Sequence, residues 1–190
     1  MKLRIAVAAF ASMAVLAGVG VGAAAAGSAS GATATPTRAA AQTTYTPPRA
    51  HIWDLSAGFH GYRMEMGTRG FIVTLTNVSN HSVSLYGYPG LQLLNAKKQP
   101  LPTRTLWGKS YFDRNQAKSL IVLSPGETAS ADISFGVYGT PSNSVLAYYL
   151  QMTPPNCYSH FTLKIPYGPA LVYLHQVSVT PMAYHTPYIP

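Results

Sequence analysis

The sequence predicts an all-β protein, an antiparallel sandwich of about eight to ten short strands, on three observations. Apolar and polar residues alternate with period 2 in separate runs, most plainly Phe71-Val73-Leu75 against Ile72, Thr74 and Thr76, and Ala129-Ala131-Ile133-Phe135 against Thr128, Ser130, Asp132 and Ser134. Clusters of Gly, Pro, Asn and Ser separate the runs. Beyond the N-terminal leader, no stretch carries the apolar repeat of a convincing amphipathic helix.

The chain of 190 residues opens with Lys2 and Arg4, an uncharged apolar run from Ile5 to Val21, and the small residues Ala24-Ala25-Ala26 before Gly27. That order is a signal peptide over residues 1–26. A retained membrane anchor is the competing reading, weakened by Gly18, Gly20 and Gly22 within the run. A lipoprotein is excluded, because no cysteine lies near the cleavage region. Residues 27–50 are rich in Ala, Thr and Pro and hold too little apolar surface to offset the entropy of ordering, so they read as a disordered linker. Residues 51–190 are the right size for one domain with a single core. Loss of Lys2 and Arg4 with the leader lowers the bases from 13 to 11 and the net charge from +8 to +6. A basic exported chain meets anionic polymers or lipid surfaces rather than nucleic acid. Cys157 is the only cysteine, so no intrachain disulfide can form. Its thiol is either buried and inert or paired between chains.

Within the domain, His51 to Leu55 reads as an edge strand or a leading loop. Tyr62, Met64 and Met66 alternate with Arg63 and Glu65, and Gly67 to Gly70 turns that run into the Phe71 strand. The polar cluster Asn77 to His81 then predicts a hairpin joining the Phe71 strand to Val83 and Leu85. Tyr88-Pro89-Gly90 is a turn, since proline presets φ and glycine accepts the positive φ that follows, and Leu91, Leu93 and Leu94 begin the next strand. Pro100 and Pro102 interrupt the pattern, and Thr103 to Lys118 has no sustained period, so it is expected to be a long functional or mobile loop. Leu120 to Leu123 is a short, wholly apolar run bounded by Ser124-Pro125-Gly126-Glu127, and the cleanest strand, Thr128 to Phe135, follows. After a loop from Gly136 to Asn143, Val145 to Met152 reads as one strand stopped by Pro154 and Pro155. Phe161, Leu163 and Ile165 form another, Leu171 to Val179 the last, and a tail starts at Pro181. The whole is an antiparallel Ig-like β-sandwich.

The succession TLTNVSNHSVSLYGYPGLQLLNAKKQPL, LSPGETASADISF, PPNC and LKIP resembles the actinobacterial secreted proteins grouped as domain-of-unknown-function family 4232. The marks that carry the resemblance are Asn77 after a strand-ending threonine, Gly87-Tyr88-Pro89, Pro125-Gly126 and the late Cys157, and it covers most of residues 60–180. Many members look like C-x-L-x-G-Y-P at the turn. Here Val83 holds the cysteine position, so the disulfide that the resemblance implies has no partner for Cys157. The resemblance implies an envelope-associated sandwich and carries over no catalytic residue.

Two constellations point to chemistry. His60, Met64 and Met66 would project to one side of an extended strand, and imidazole with thioethers is a soft donor set for Cu(I). The same methionines beside Tyr62 also make an ordinary core face. The segment from Lys97 to Lys118 gathers Lys97, Lys98, Arg104, Lys109, Arg114 and Lys118 around Trp107, Tyr111 and Phe112. Cations neutralise phosphate or carboxylate while rings stack on sugars, so this is the candidate binding surface. The bland alternative is a solvated loop whose rings pack over the end of the sandwich.

The inventory for catalysis is poor. Asp54, Glu65, Asp113, Glu127 and Asp132 are the only acids, and Glu127 and Asp132 are accounted for by a turn and an outward strand face. Cys157 and His160 are too close in sequence for an ordinary nucleophile and base pair. There is no G-x-S-x-G elbow, no H-E-x-x-H and no phosphate loop. The expectation is an exported, non-enzymatic interaction module without a cofactor, bound to an anionic envelope polymer, a lipid surface or another envelope protein. The alternatives are an extracytoplasmic copper-binding domain using His60, Met64 and Met66, and a small secreted hydrolase.

Overall fold

A computed structural model describes residues 46–113 and 117–184. The expected signal peptide, most of the expected linker and Arg114 lie outside the described residues. The strands in chain order are β1 (Leu55–Glu65), β2 (Thr68–Asn77), β3 (Val83–Tyr86), β4 (Gly90–Leu94), β5 (Arg104–Trp107), β6 (Leu120–Leu123), β7 (Thr128–Gly136), β8 (Ser144–Ala147), β9 (Tyr149–Thr153), β10 (Phe161–Lys164), β11 (Ala170–Tyr173), β12 (Gln176–Val179) and β13 (Ala183–Tyr184). The described residues are all-β, with one 3-10 turn at Ile52–Asp54 where an edge strand or loop was expected. None of their helices is long and apolar enough to cross a membrane.

One large sheet runs β1-β2-β7-β12-β5, with β13 also paired to β7. Smaller sheets β10-β9-β4, β3-β6 and β8-β11 complete the fold. All pairings between named strands are antiparallel except β5 with β12. Alternation explains the sandwich-like packing. Phe71, Val73 and Leu75 of β2 and Ala129, Ala131, Ile133 and Phe135 of β7 are buried in one core with Val83, Leu85, Leu93, Ile121, Leu150 and Met152 of the smaller sheets. A small void lined by Phe59, Phe71 and Ile133 together with Leu93, Leu150 and Ile165 marks where the two layers meet.

Several sequence expectations need correction. β3 does not form a hairpin with β2. It pairs with β6, Val83 opposite Leu123 and Tyr86 opposite Leu120, so the Asn77 to His81 segment carries the chain between sheets. The β1–β2 turn is at Met66 and Gly67, and β2 starts at Thr68 rather than Phe71. The expected strand Val145 to Met152 is two strands. β8 pairs with β11, whereas β9 joins β4 and β10, and the break falls at Tyr148, whose N–H donates to Leu94 O while its carbonyl accepts from Ile165 N. Leu171 to Val179 is likewise divided, by a turn in which Leu174 and His175 take left-handed φ values of 50° and 56°. Contacts also begin before His51: Ala50 is buried, and Ser84 bonds the carbonyls of Pro47 and Pro48 through its hydroxyl.

Asn77 joins the layers. Its Nδ2 donates to His81 O at 2.8 Å and to Leu123 O at 2.9 Å, and its Oδ1 accepts from Ser79 N and Oγ. Its backbone N–H donates to Glu127 O and its carbonyl accepts from Gly126 N. Every polar atom of this fully buried residue is thereby satisfied. Asn77→Ala takes a donor from Leu123 O and His81 O and the acceptor from Ser79 N, and Asn77→Asp cannot donate to either carbonyl. Each variant is expected to lose about 3 kcal/mol of stability, measured by urea unfolding.

Candidate functional site

The residues from Lys97 to Lys118 fall in three separate places. Lys97 and Lys98 sit in a tight turn after β4, organised by Asn95 Oδ1, which accepts from Lys97 N and Gln99 N. Lys98 Nζ lies 5.4 Å from the centre of the Tyr149 ring. Arg104 and Trp107 bound β5, a strand where a loop was expected. Its register is set by parallel pairing with β12, Arg104 beside Gln176 and Trp107 beside Val179. Beyond β5, Gly108 to Asp113 strap back across the outer face of the large sheet.

Trp107 builds a shelf at the end of β5. Its indole is 67% exposed and stacks on Tyr88, with ring centres 6.1 Å apart and planes within 20°. Lys118 Nζ stands 5.8 Å from the centre of the Tyr88 ring. Tyr88 is held by its turn: Gly87 has φ +106°, which favours glycine, and its carbonyl accepts from Met182 N. A groove runs from this shelf past Tyr86, Pro155 and Asn156, and a second continues past the same three residues to Arg49 and Leu120. Asn156 Nδ2 donates to Tyr86 O at 3.3 Å. The charged residues lining the two grooves are Lys118 and Arg49, with no acid among the described lining. Flat rings beside cations can stack on sugar rings and neutralise carboxylate or phosphate. Sequence reasoning missed Arg49, Tyr86, Tyr88 and Asn156. The recurrence of tyrosine around the Gly-Tyr-Pro turn was a signal for Tyr86 and Tyr88 alone.

The strap is tied down by Asp132. This side chain is on the outward face of β7, as alternation requires, yet it is only 5% exposed, so its expected solvent exposure is corrected. Its carboxylate accepts from Ser110 Oγ and pairs with Arg63. Arg63 in turn lies over Phe112, 5.1 Å from the ring centre. Tyr111 N donates to Ser134 Oγ at 2.8 Å, which buries Ser134 as well. Burial pushes the Asp132 carboxyl above the ordinary range, and the negative charge of Asp113 adds to this. The Ser110 hydrogen bond and the Arg63 cation oppose it.

Residues 51–183 match the family described as a domain of unknown function (DUF4232). The chain belongs to that family. No curated protein and no solved structure matches it.

In this DUF4232 domain the copper constellation is not assembled as expected. Gly61, with φ +65°, forms a bulge that shifts the β1 register between His60 and Tyr62. His60 therefore opposes Ile72 on the outer face, while Tyr62 and Met64 oppose Phe71 and Arg69 on the other. Met66 lies beyond the strand in the turn, and Met64 Sδ accepts from Tyr62 Oη at 3.4 Å. Among the acids, Asp54 Oδ2 accepts from His51 N and Glu127 Oε2 from Ser124 N, both local turn bonds. Cys157 is half-buried and its Sγ donates to Ala50 O at 3.3 Å. Burial, reinforced by the charge of Asp54, pushes this thiol up.

Two outcomes follow from these groups. Asp132 binds its proton more readily in the folded chain than in the unfolded one. Its contribution to stability is therefore complete below the ordinary aspartate value of 3.8 and is lost as pH rises through the folded value. Arg63→Ala removes the opposing cation and should cost about 2 kcal/mol at neutral pH, less than for a fully buried pair because Arg63 is 27% exposed. Urea unfolding at stepped pH should show that deficit shrinking on acidification. For Cys157, alkylation by iodoacetamide at neutral pH should be many-fold slower in the native domain than after denaturation, and should accelerate only at alkaline pH.

Proposed function

We propose that this chain is an exported, non-enzymatic binding module of the cell envelope, and that it holds an anionic envelope polymer on the shelf of Trp107, Tyr88 and Lys118. The observation that carries the reading is the exposed indole at the end of a paired strand, stacked on a tyrosine and flanked by lysine. Solvent-facing aromatic area of this kind stabilises nothing inside the fold, whereas against a sugar polymer it offers a stacking platform. Cations with no acid among the described lining residues of the grooves favour a polymer bearing phosphate or carboxylate. The N-terminal leader supports delivery to the compartment where such polymers lie.

Cosedimentation of the mature chain with isolated sacculi tests this, with sacculi stripped of their anionic polymers as the second arm. Binding should weaken with added salt and vanish on stripped sacculi. Trp107→Ala and Lys118→Ala should each lower it about tenfold, a loss of about 1.4 kcal/mol, while the Lys97→Ala/Lys98→Ala pair should leave it nearly unchanged. Equal binding by the Trp107 and Lys118 variants would exclude the shelf.

A further inference from the structure

The outer face of the large sheet carries a second concavity, walled by the strap on one side and by Tyr173 of β11 on the other. It is an open cleft of about 400 Å³, within the roughly 300–1,000 Å³ that small-molecule sites occupy. Its lining includes Thr68 of β2, Tyr111 of the strap, Tyr173, and Gln176 and Ser178 of β12, with Lys109 at the strap. The side-chain polar groups of these residues make no hydrogen bond to any described residue, in contrast to Ser110 and Ser134 beside them, which are engaged in holding the strap. Hydroxyls both donate and accept, an amide does the same, and two phenol rings offer apolar faces. Converging groups of this mixed character suit a ligand with several hydroxyls and flat C–H faces. They do not suit a strong anion, for which Lys109 is the single cation among the described lining residues.

We propose that this cleft is a saccharide site that takes one or two uncharged sugar units. Sugar hydroxyls bond Gln176, Ser178 and Thr68 at the floor, and the rings of Tyr111 and Tyr173 cover the sugar faces. The Asp132 bonds fix the strap, so the wall is in place before the ligand arrives and binding orders little of the protein. The site is separate from the Trp107 shelf and does not depend on the role proposed for it.

Amide NMR of the mature chain, titrated with the methyl glycosides of glucose, galactose and mannose and with maltose and cellobiose, tests the inference. At least one of these sugars should give saturable shifts at Ser134, Gly136, Gln176 and Ser178. Those shifts should persist in Trp107→Ala and weaken at least about tenfold in affinity in Gln176→Leu/Ser178→Val, whose remaining spectrum reports on its folding. If the double variant does not fold, Tyr173→Phe and Thr68→Val serve in its place. The absence of saturable shifts with every sugar would overturn the proposal, as would shifts confined to Tyr88 and Trp107. Shifts at the cleft given by inorganic phosphate but by no sugar would also overturn it, since they would mark a simple anion site at Lys109.

Discussion

The arrangement depends on burying one amide without leaving any of its polar atoms unpaired. Asn77 ends β2 in the large sheet, and its side chain bonds the last carbonyl of β6 in the opposing layer. The turn at Ser124 to Glu127 closes on its backbone, and the crossing segment to His81 closes on its side chain. A two-layer core of aliphatic side chains is held together by non-directional forces that fix no register between layers. A satisfied buried network fixes one. The β3-β6 pair is thus pinned at its Val83–Leu123 end; at its other end Tyr86 lines the groove beside Trp107, and Tyr86 and Leu120 line the groove that continues from it. The placement of the proposed polymer surface follows from an interaction at the other end of the same strands.

Asp132 solves a different problem. A strap crossing a sheet face brings polar backbone over residues that alternation had left for water. Ser134 and Ser110 satisfy part of it, and the carboxylate organises the rest through Arg63 and Ser110. The desolvation that raises its proton affinity is the cost of that roof. Gly70, under the roof, has no room for a side chain, since a Cβ there would stand 2.5 Å from the Phe112 ring.

Much of this was legible from period alone. The core faces of β2 and β7, the β6 strand and the Gly126 turn are local patterns, and local patterns survive in a sequence. β5 was not legible because its strand character comes from β12, far away in the chain, and Pro102 with two exposed ends hides its four residues. The β3 strand alternates as any hairpin partner would, and nothing in its residues states that its partner is β6. Alternation placed Asp132 on the outer face correctly but could not say that a strap covers that face. Gly61 reversed the side taken by His60 relative to Met64, which a strict period of two cannot anticipate. Trp107 and Lys118 stood out by type, whereas Tyr86 and Asn156 are brought beside them, and Arg49 to the second groove, by contacts between distant parts of the chain.

The Gly61 bulge also shapes the margin of the large sheet. β1 is an 11-residue strand at the margin of the large sheet, long enough to template the backbone of a neighbour. The extra residue at its middle breaks the ladder into two short stretches and increases the local twist. A second strand laid along β1 would meet an interrupted row of donors and acceptors rather than a continuous one.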